Sequence, residues 1–298
     1  MFSGSYVALI TPFKDGEVDV QRLRDLVNFQ IANGTDGLVP CGSTGETATM
    51  TEQEDELVIG TVIEVAAGRV PVIAGTGSND TRKAIQYTKT AQRLGADGAL
   101  MVTPYYNKPT QEGLYRHFRA VAEETDIPII LYNVPGRTGV NMSAETVARL
   151  AEVEKIVGIK EASGNLEQIS DIVRLCGPDF VVLSGDDALT LPILSVGGVG
   201  VISVVGNILP APVAELCRAF ARRDIERARE LHHYLAGLAK AMFLETNPIP
   251  VKTAAGLMGI CSPELRSPLC PMSEANLRKL KEILASYGLL KDNQGVMR

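Results

Sequence analysis

A lysine at position 160 stands in V-G-I-K-E-A-S-G-N (157–165), a run of glycine and apolar residues that reads as a buried strand. Lysine is rarely fully buried without a partner. In one reading Lys160 pairs with a carboxylate, Asp186 or Glu161, or snorkels outward. In the other it is kept poorly hydrated for use. Desolvation penalises the charged form and lowers the proton affinity of an amine. Brought from an ordinary value near ~10.4 towards roughly 7–8, a lysine can attack a carbonyl and form a Schiff base.

Imine chemistry moves protons to and from oxygen and nitrogen, so it needs a relay. Tyr132, at the end of the preceding apolar run, suits that task, although a core aromatic with a satisfied hydroxyl explains it equally well. Ser43 and Thr44 could link it to substrate or solvent. Their turn, C-G-S-T-G-E-T (41–47), has glycines that let backbone N–H groups converge on a carboxylate, or it is an ordinary strand-to-helix connection. Arg137, in P-G-R-T-G, is either a solvated surface residue or a bidentate partner for a substrate carboxylate. Tyr105 and Tyr106 follow another apolar run and either pack on their loop, line a pocket or reach into a neighbouring subunit. His117, His232 and His233 all fall in helical stretches, so no metal site and no metal cofactor are expected. No G-x-S-x-G elbow occurs.

The elements that must position these residues are short apolar runs: 5–11, 36–42, 70–77, 96–104, 127–135, 156–164, 180–187 and 199–207. Most are continuously hydrophobic, as a parallel sheet buried on both faces requires. Amphipathic stretches separate them. One carries Val20, Leu23, Val27 and Ile31 at helical spacing and closes at Gly34; another opens with a Thr51–Glu54 capping box; a third starts at Ser143, a good N-cap. Eight strand–helix units predict a (β/α)8 TIM barrel over 1–224, with a C-terminal helical region over 225–298. An open doubly wound sheet is the rival, but its glycine-rich phosphate fingerprint is missing. In a barrel the active site lies at the C-terminal strand ends. Thr11, Ser43, Thr44, Glu46, Thr103, Tyr105, Tyr106, Tyr132, Asn133, Arg137, Lys160, Glu161, Ser184, Asp186 and Asp187 would gather there.

Composition agrees with a soluble globular protein of 298 residues, 45% hydrophobic and 21% charged. A net charge of −6 with no basic cluster argues against nucleic-acid binding. Five scattered cysteines without a C-x-x-C pair suggest reduced thiols and a cytoplasmic setting. The start, M-F-S-G-S-Y-V-A-L-I-T-P, lacks the pattern of a signal peptide, and no apolar run reaches the roughly 18 residues of a membrane span.

Seven segments extend the pattern across essentially the whole chain: G-S-T-G-E (42–46), V-T-P-Y-Y-N-K-P (102–109), Y-N-V-P-G-R-T-G (132–139), G-I-K-E-A-S-G-N (158–165), L-S-G-D-D (183–187), G-V-I-S-V (200–204) and N-P-I-P-V-K (247–252). Together they resemble the pyruvate-dependent class I aldolases, the N-acetylneuraminate lyase superfamily, and within it the dihydrodipicolinate synthase family. The resemblance implies that Lys160 forms a Schiff base with pyruvate. It makes Tyr132 the central relay, hydrogen-bonded to Thr44 or Ser43 and to Tyr106 of an adjacent subunit. It gives the pyruvate carboxylate to the backbone amides of Ser43 and Thr44, and the carboxylate of aspartate semialdehyde to Arg137. Carbonyls near Ile202 and Gly185 would line the pocket. The implied reaction is the committed step towards diaminopimelate and lysine, with no cofactor, in a homotetramer built as a dimer of tight dimers.

Two departures from the family pattern stand out. Position 43 is serine where many members carry threonine, which keeps the hydroxyl. At the site where some members bind lysine, Asn79 and Tyr105 match, but Glu52, Asp55 and Lys83 differ, and Lys83 would repel a lysine cation. Weak or absent feedback inhibition is therefore expected. Y-Y-N-K-P and the arginine of G-R-T-G favour the synthase over an N-acetylneuraminate lyase or a keto-sugar-acid aldolase. A keto-acid sensor without turnover is disfavoured because lysine, tyrosine and hydroxyls occur as a series.

Overall fold

The computed structural model describes residues 2–290. Eight parallel strands form the barrel: β1 (Gly4–Ala8), β2 (Gly37–Val39), β3 (Ile73–Gly75), β4 (Gly98–Val102), β5 (Ile129–Asn133), β6 (Ile156–Glu161), β7 (Val181–Ser184) and β8 (Gly200–Ser203). β1 pairs with both β8 and β2, and a single parallel bridge between Leu38 and Val72 closes the ring. Every expected apolar run supplies one strand, each shorter than its run, although β1 begins one residue earlier, at Gly4. The lack of polar alternation is explained by β5, where all five residues are buried. Alternate side chains point into the barrel or out against the helices. Ile130, Tyr132, Leu183 and Ile202 belong to the interior cluster, whereas Ile129, Leu131, Ile159 and Val182 pack outside.

The helices between strands are α1 (Val20–Ala32), α2 (Glu52–Ala66), α3 (Thr81–Leu94), α4 (Gln111–Glu124), α5 (Ala144–Ala151), α6 (Leu166–Cys176), α7 (Thr190–Ser195) and α8 (Pro210–Ala221). The capping box at Thr51 and the Ser143 cap both form. In α1 the buried face is Leu23, Leu26, Val27 and Gln30, while Val20 and Ile31 are half-buried. Gln30 can be buried because its amide donates to the Gly206 carbonyl at 2.9 Å. A small hairpin, Phe13–Lys14 with Glu17–Val18, follows β1. The sequence reading passed over it, although Asp15-Gly16, both at positive φ, is a strong two-residue hairpin signal.

Beyond the barrel lie α9 (Ile225–Ala241), α10 (Ile249–Leu257) and α11 (Glu274–Ser286). Leu231, Leu238, Val251, Leu280 and Leu284 join one apolar cluster with Leu23, Leu26 and Val58. Residues 291–298 of the expected C-terminal region lie outside the described residues. Among the described residues, no helix is long and apolar enough to cross a membrane.

Candidate active site

Lys160 and Tyr132 sit opposite each other on β6 and β5, in register. Both point into the barrel. The lysine Nζ is 4.2 Å from the centre of the Tyr132 ring, and the residue is 5% exposed. Burial brings its pKa down to about 7; the Asp187 carboxylate opposes this shift and Arg137 adds to it. Burial also raises the Tyr132 phenol to about 12, with Arg137 opposing. The amine is therefore half neutral near pH 7, and the phenol stays protonated as a donor.

Neither expected carboxylate pairs with Lys160. Glu161 is the next residue on the strand, and the two-residue period turns it to the outer face. There it accepts from Asn133 Nδ2 at 3.1 Å and from the Ser163 N–H at 2.7 Å. Asp186 caps the one-turn helix that follows β7, accepting from the Ala188 N–H at 2.9 Å. The carboxylate whose charge reaches Lys160 is Asp187, one residue on. It is held by the Ser203 hydroxyl and by the N–H groups of Val204, at 2.9 Å, and Val205. Gly185 lies directly against the lysine, since a Cβ there would come within 3.1 Å of Lys160 Cε.

Ser43 and Thr44 open a single 3-10 turn (Ser43–Gly45) after β2. The first N–H groups of such a turn have no partner inside it. Two anchors hold the turn. Thr11 Oγ1 donates to the Gly45 carbonyl at 2.7 Å. Glu46, in a left-handed conformation at φ 59, accepts from Lys252 Nζ at 2.6 Å and from the Arg266 N–H at 3.0 Å. Lys252 is 0% exposed, and its ammonium and the Arg266 guanidinium flank the Phe13 ring at 3.8 and 4.4 Å. Burial lowers the Lys252 pKa, with Glu46 opposing.

These C-terminal partners were missing from the sequence reading. Lys252 lies in P-I-P-V-K-T-A-A-G-L, a cation among apolar residues. That is the same signal that singled out Lys160.

A cavity of about 530 Å³ opens on this face. Its walls include Ser43, Tyr132, Arg137 and Asn247, and also Glu52, Asp55, Asn79, Lys83 and Tyr105. Thus Ser43, Tyr132 and Arg137 share one space with the candidate regulatory residues, while Lys160 and Thr44 lie behind that lining rather than on it. Arg137 Nη2 donates to the Asn247 carbonyl at 2.8 Å. Ile202 is buried in the same interior cluster as Tyr132, and neither Ile202 nor Gly185 forms a wall of the cavity.

At the far end, burial raises the Asp55 carboxyl to about 6, and Thr47 Oγ1 donates to it at 3.0 Å. Glu52 is taken up by Gln86 at 3.0 Å and Tyr87 at 3.3 Å. Tyr105 is half-exposed and tied to Asn79 through its carbonyl. Tyr106 is 90% exposed at a left-handed φ of 71, outside the cavity of its own chain. Among the described residues, no three His, Cys, Asp or Glu side chains cluster as metal ligands.

A model of the dihydrodipicolinate synthetase family matches residues 1–287. The chain is 58% identical to a 4-hydroxy-tetrahydrodipicolinate synthase of Pelobacter propionicus, over 97% of this chain and 100% of that protein. It is 59% identical to the enzyme of that name from Geobacter metallireducens, with the same coverage. The crystal structure of dihydrodipicolinate synthase from Aquifex aeolicus superposes with a TM-score of 0.96 at 54% identity, covering 98% of this chain and 100% of that one. With its sequence matched nearly end to end and its barrel superposed at that level, the chain belongs to the dihydrodipicolinate synthetase family.

Proposed function

We propose that the chain condenses pyruvate with L-aspartate 4-semialdehyde to give 4-hydroxy-tetrahydrodipicolinate, the step that commits carbon to diaminopimelate and lysine. The observation that carries this reading is the buried Lys160, brought to a pKa of about 7 and facing the Tyr132 phenol. The neutral amine attacks the keto carbon of pyruvate. The carbinolamine loses water as Tyr132 passes protons between oxygen and nitrogen. Loss of a methyl proton gives the enamine, whose carbon attacks the aldehyde. The amino group of the second substrate then displaces Lys160 by transimination, closing the ring and freeing the enzyme.

In this scheme the Ser43 hydroxyl exchanges protons with Tyr132, and the amides of Ser43 and Thr44 hold the pyruvate carboxylate. Arg137 takes the carboxylate of the semialdehyde. Gly185 leaves room beside Lys160, and carbonyls near Gly185 and Ile202 line the space around the amine. Tyr106 completes the relay from a neighbouring copy, which its exposure supports, within a cytoplasmic homotetramer built as a dimer of dimers.

Borohydride reduction in the presence of pyruvate tests the reading. The adduct should map to Lys160 and vanish in Lys160→Ala. Aspartate semialdehyde should outperform sugar aldehydes as acceptor. Arg137→Ala should raise its KM roughly 10- to 100-fold, the range for one charged hydrogen bond, with pyruvate trapping retained. Trapping without turnover of any acceptor would point instead to a keto-acid sensor.

A further inference from the structure

Asn247 stands just before α10, buried, at the wall of the cavity. Its Nδ2 donates to Thr44 Oγ1 at 3.0 Å, and its backbone carbonyl accepts from Arg137 at 2.8 Å. Its Oδ1 is buried with no hydrogen-bond partner. A buried amide with an orphaned acceptor is uncommon and calls for a reason. The opposite orientation would let Oδ1 accept from the Thr44 hydroxyl, and that arrangement consumes the hydroxyl hydrogen. In the observed orientation Thr44 Oγ1 is already an acceptor, so its hydrogen is free to point elsewhere.

A carboxylate has only lone pairs to offer. A neighbouring hydroxyl that spends its hydrogen on Asn247 would present lone pairs to it and repel it. One that accepts from Asn247 can donate to it. We infer that Asn247 is a positioning residue: it fixes the direction of the Thr44 hydroxyl so that Thr44 donates to the carboxylate of the bound keto acid. Through its main chain the same residue also fixes Arg137, linking the places assigned to the two substrates. The inference rests on the proposed seat of pyruvate beside Ser43 and Thr44.

The test uses full-length enzyme and pyruvate alone, reading the pyruvate concentration that half-saturates borohydride trapping at Lys160. Asn247→Ala should raise it roughly tenfold or more, as loss of a hydrogen bond to a charged group does. That effect should persist in a Thr44→Ser background, which keeps the hydroxyl, and disappear in Thr44→Val, which lacks it. Should Asn247→Ala fold poorly, Asn247→Asp keeps the shape but accepts from Thr44, and it should raise the same concentration. Effects of Asn247 and Thr44→Val that simply multiply would overturn the inference, because Asn247 would then act only by holding its own turn. So would an unchanged half-saturation in Asn247→Ala. Failure of the wild type to trap pyruvate at all would instead remove the proposed function itself.

Discussion

The Lys160 ammonium lies over the face of the Tyr132 ring, 4.2 Å from its centre, on neighbouring strands paired in register. A cation at that distance is attracted to the ring, yet burial outweighs the attraction and leaves the amine with a pKa of about 7. The reactive form is the neutral one. Its population rises with pH and is half complete near 7, so the rate of pyruvate trapping should climb between pH 5 and 9 with its midpoint there. A midpoint near the ordinary ~10.4 of lysine would show that the side chain is solvated in solution.

Tyr132→Phe removes the proposed proton carrier and keeps the ring under the amine. Turnover should fall by roughly 10²- to 10⁴-fold, the usual worth of positioned proton transfer. The unfolding midpoint should stay close to that of the wild type, and pyruvate should still be trapped, slowly, at Lys160. Turnover within tenfold of wild type would take Tyr132 out of the relay.

The Glu46–Lys252 pair is buried on both sides. Removing one partner strands the other charge, so Glu46→Gln or Lys252→Met alone should destabilise the protein by about 3–5 kcal/mol. The double variant should lose much less than the sum. Denaturant titration of the three variants checks this, and additive losses would mean that the two charges are not energetically coupled.

L-Lysine should inhibit weakly or not at all. Asp55 and Glu52 already have hydrogen-bond donors, and Lys83 brings a positive charge to the same end of the cavity. An inhibition curve with half-effect below about 1 mM, a binding free energy near −4 kcal/mol, would contradict this. In that event Lys83→Glu should strengthen inhibition further.

The barrel was legible because its strands are buried on both faces, which leaves runs such as I-P-I-I-L-Y-N-V-P with no other economical use. Lys160 was legible for the complementary reason, as a charge where none belongs. Choosing its carboxylate neighbour was harder. Asp186 and Asp187 are adjacent in sequence, and the turn after β7 decides which one faces the lysine. The pairing of Glu46 with Lys252 spans 206 residues, so the apolar setting of Lys252 marks it as unusual without naming its partner. Asn247 was hidden in the same way, since its partners Thr44 and Arg137 meet it only in the folded chain.

The anchoring of Glu46 has a practical corollary. A truncation at residue 224 would remove Lys252 and Arg266 together, leaving a bare carboxylate next to an uncovered Phe13 and a loosened Ser43–Thr44 segment. The eight strands would still be encoded, but the fragment would be a poor starting scaffold for grafting or minimisation. Engineering of this enzyme has to carry its last three helices along.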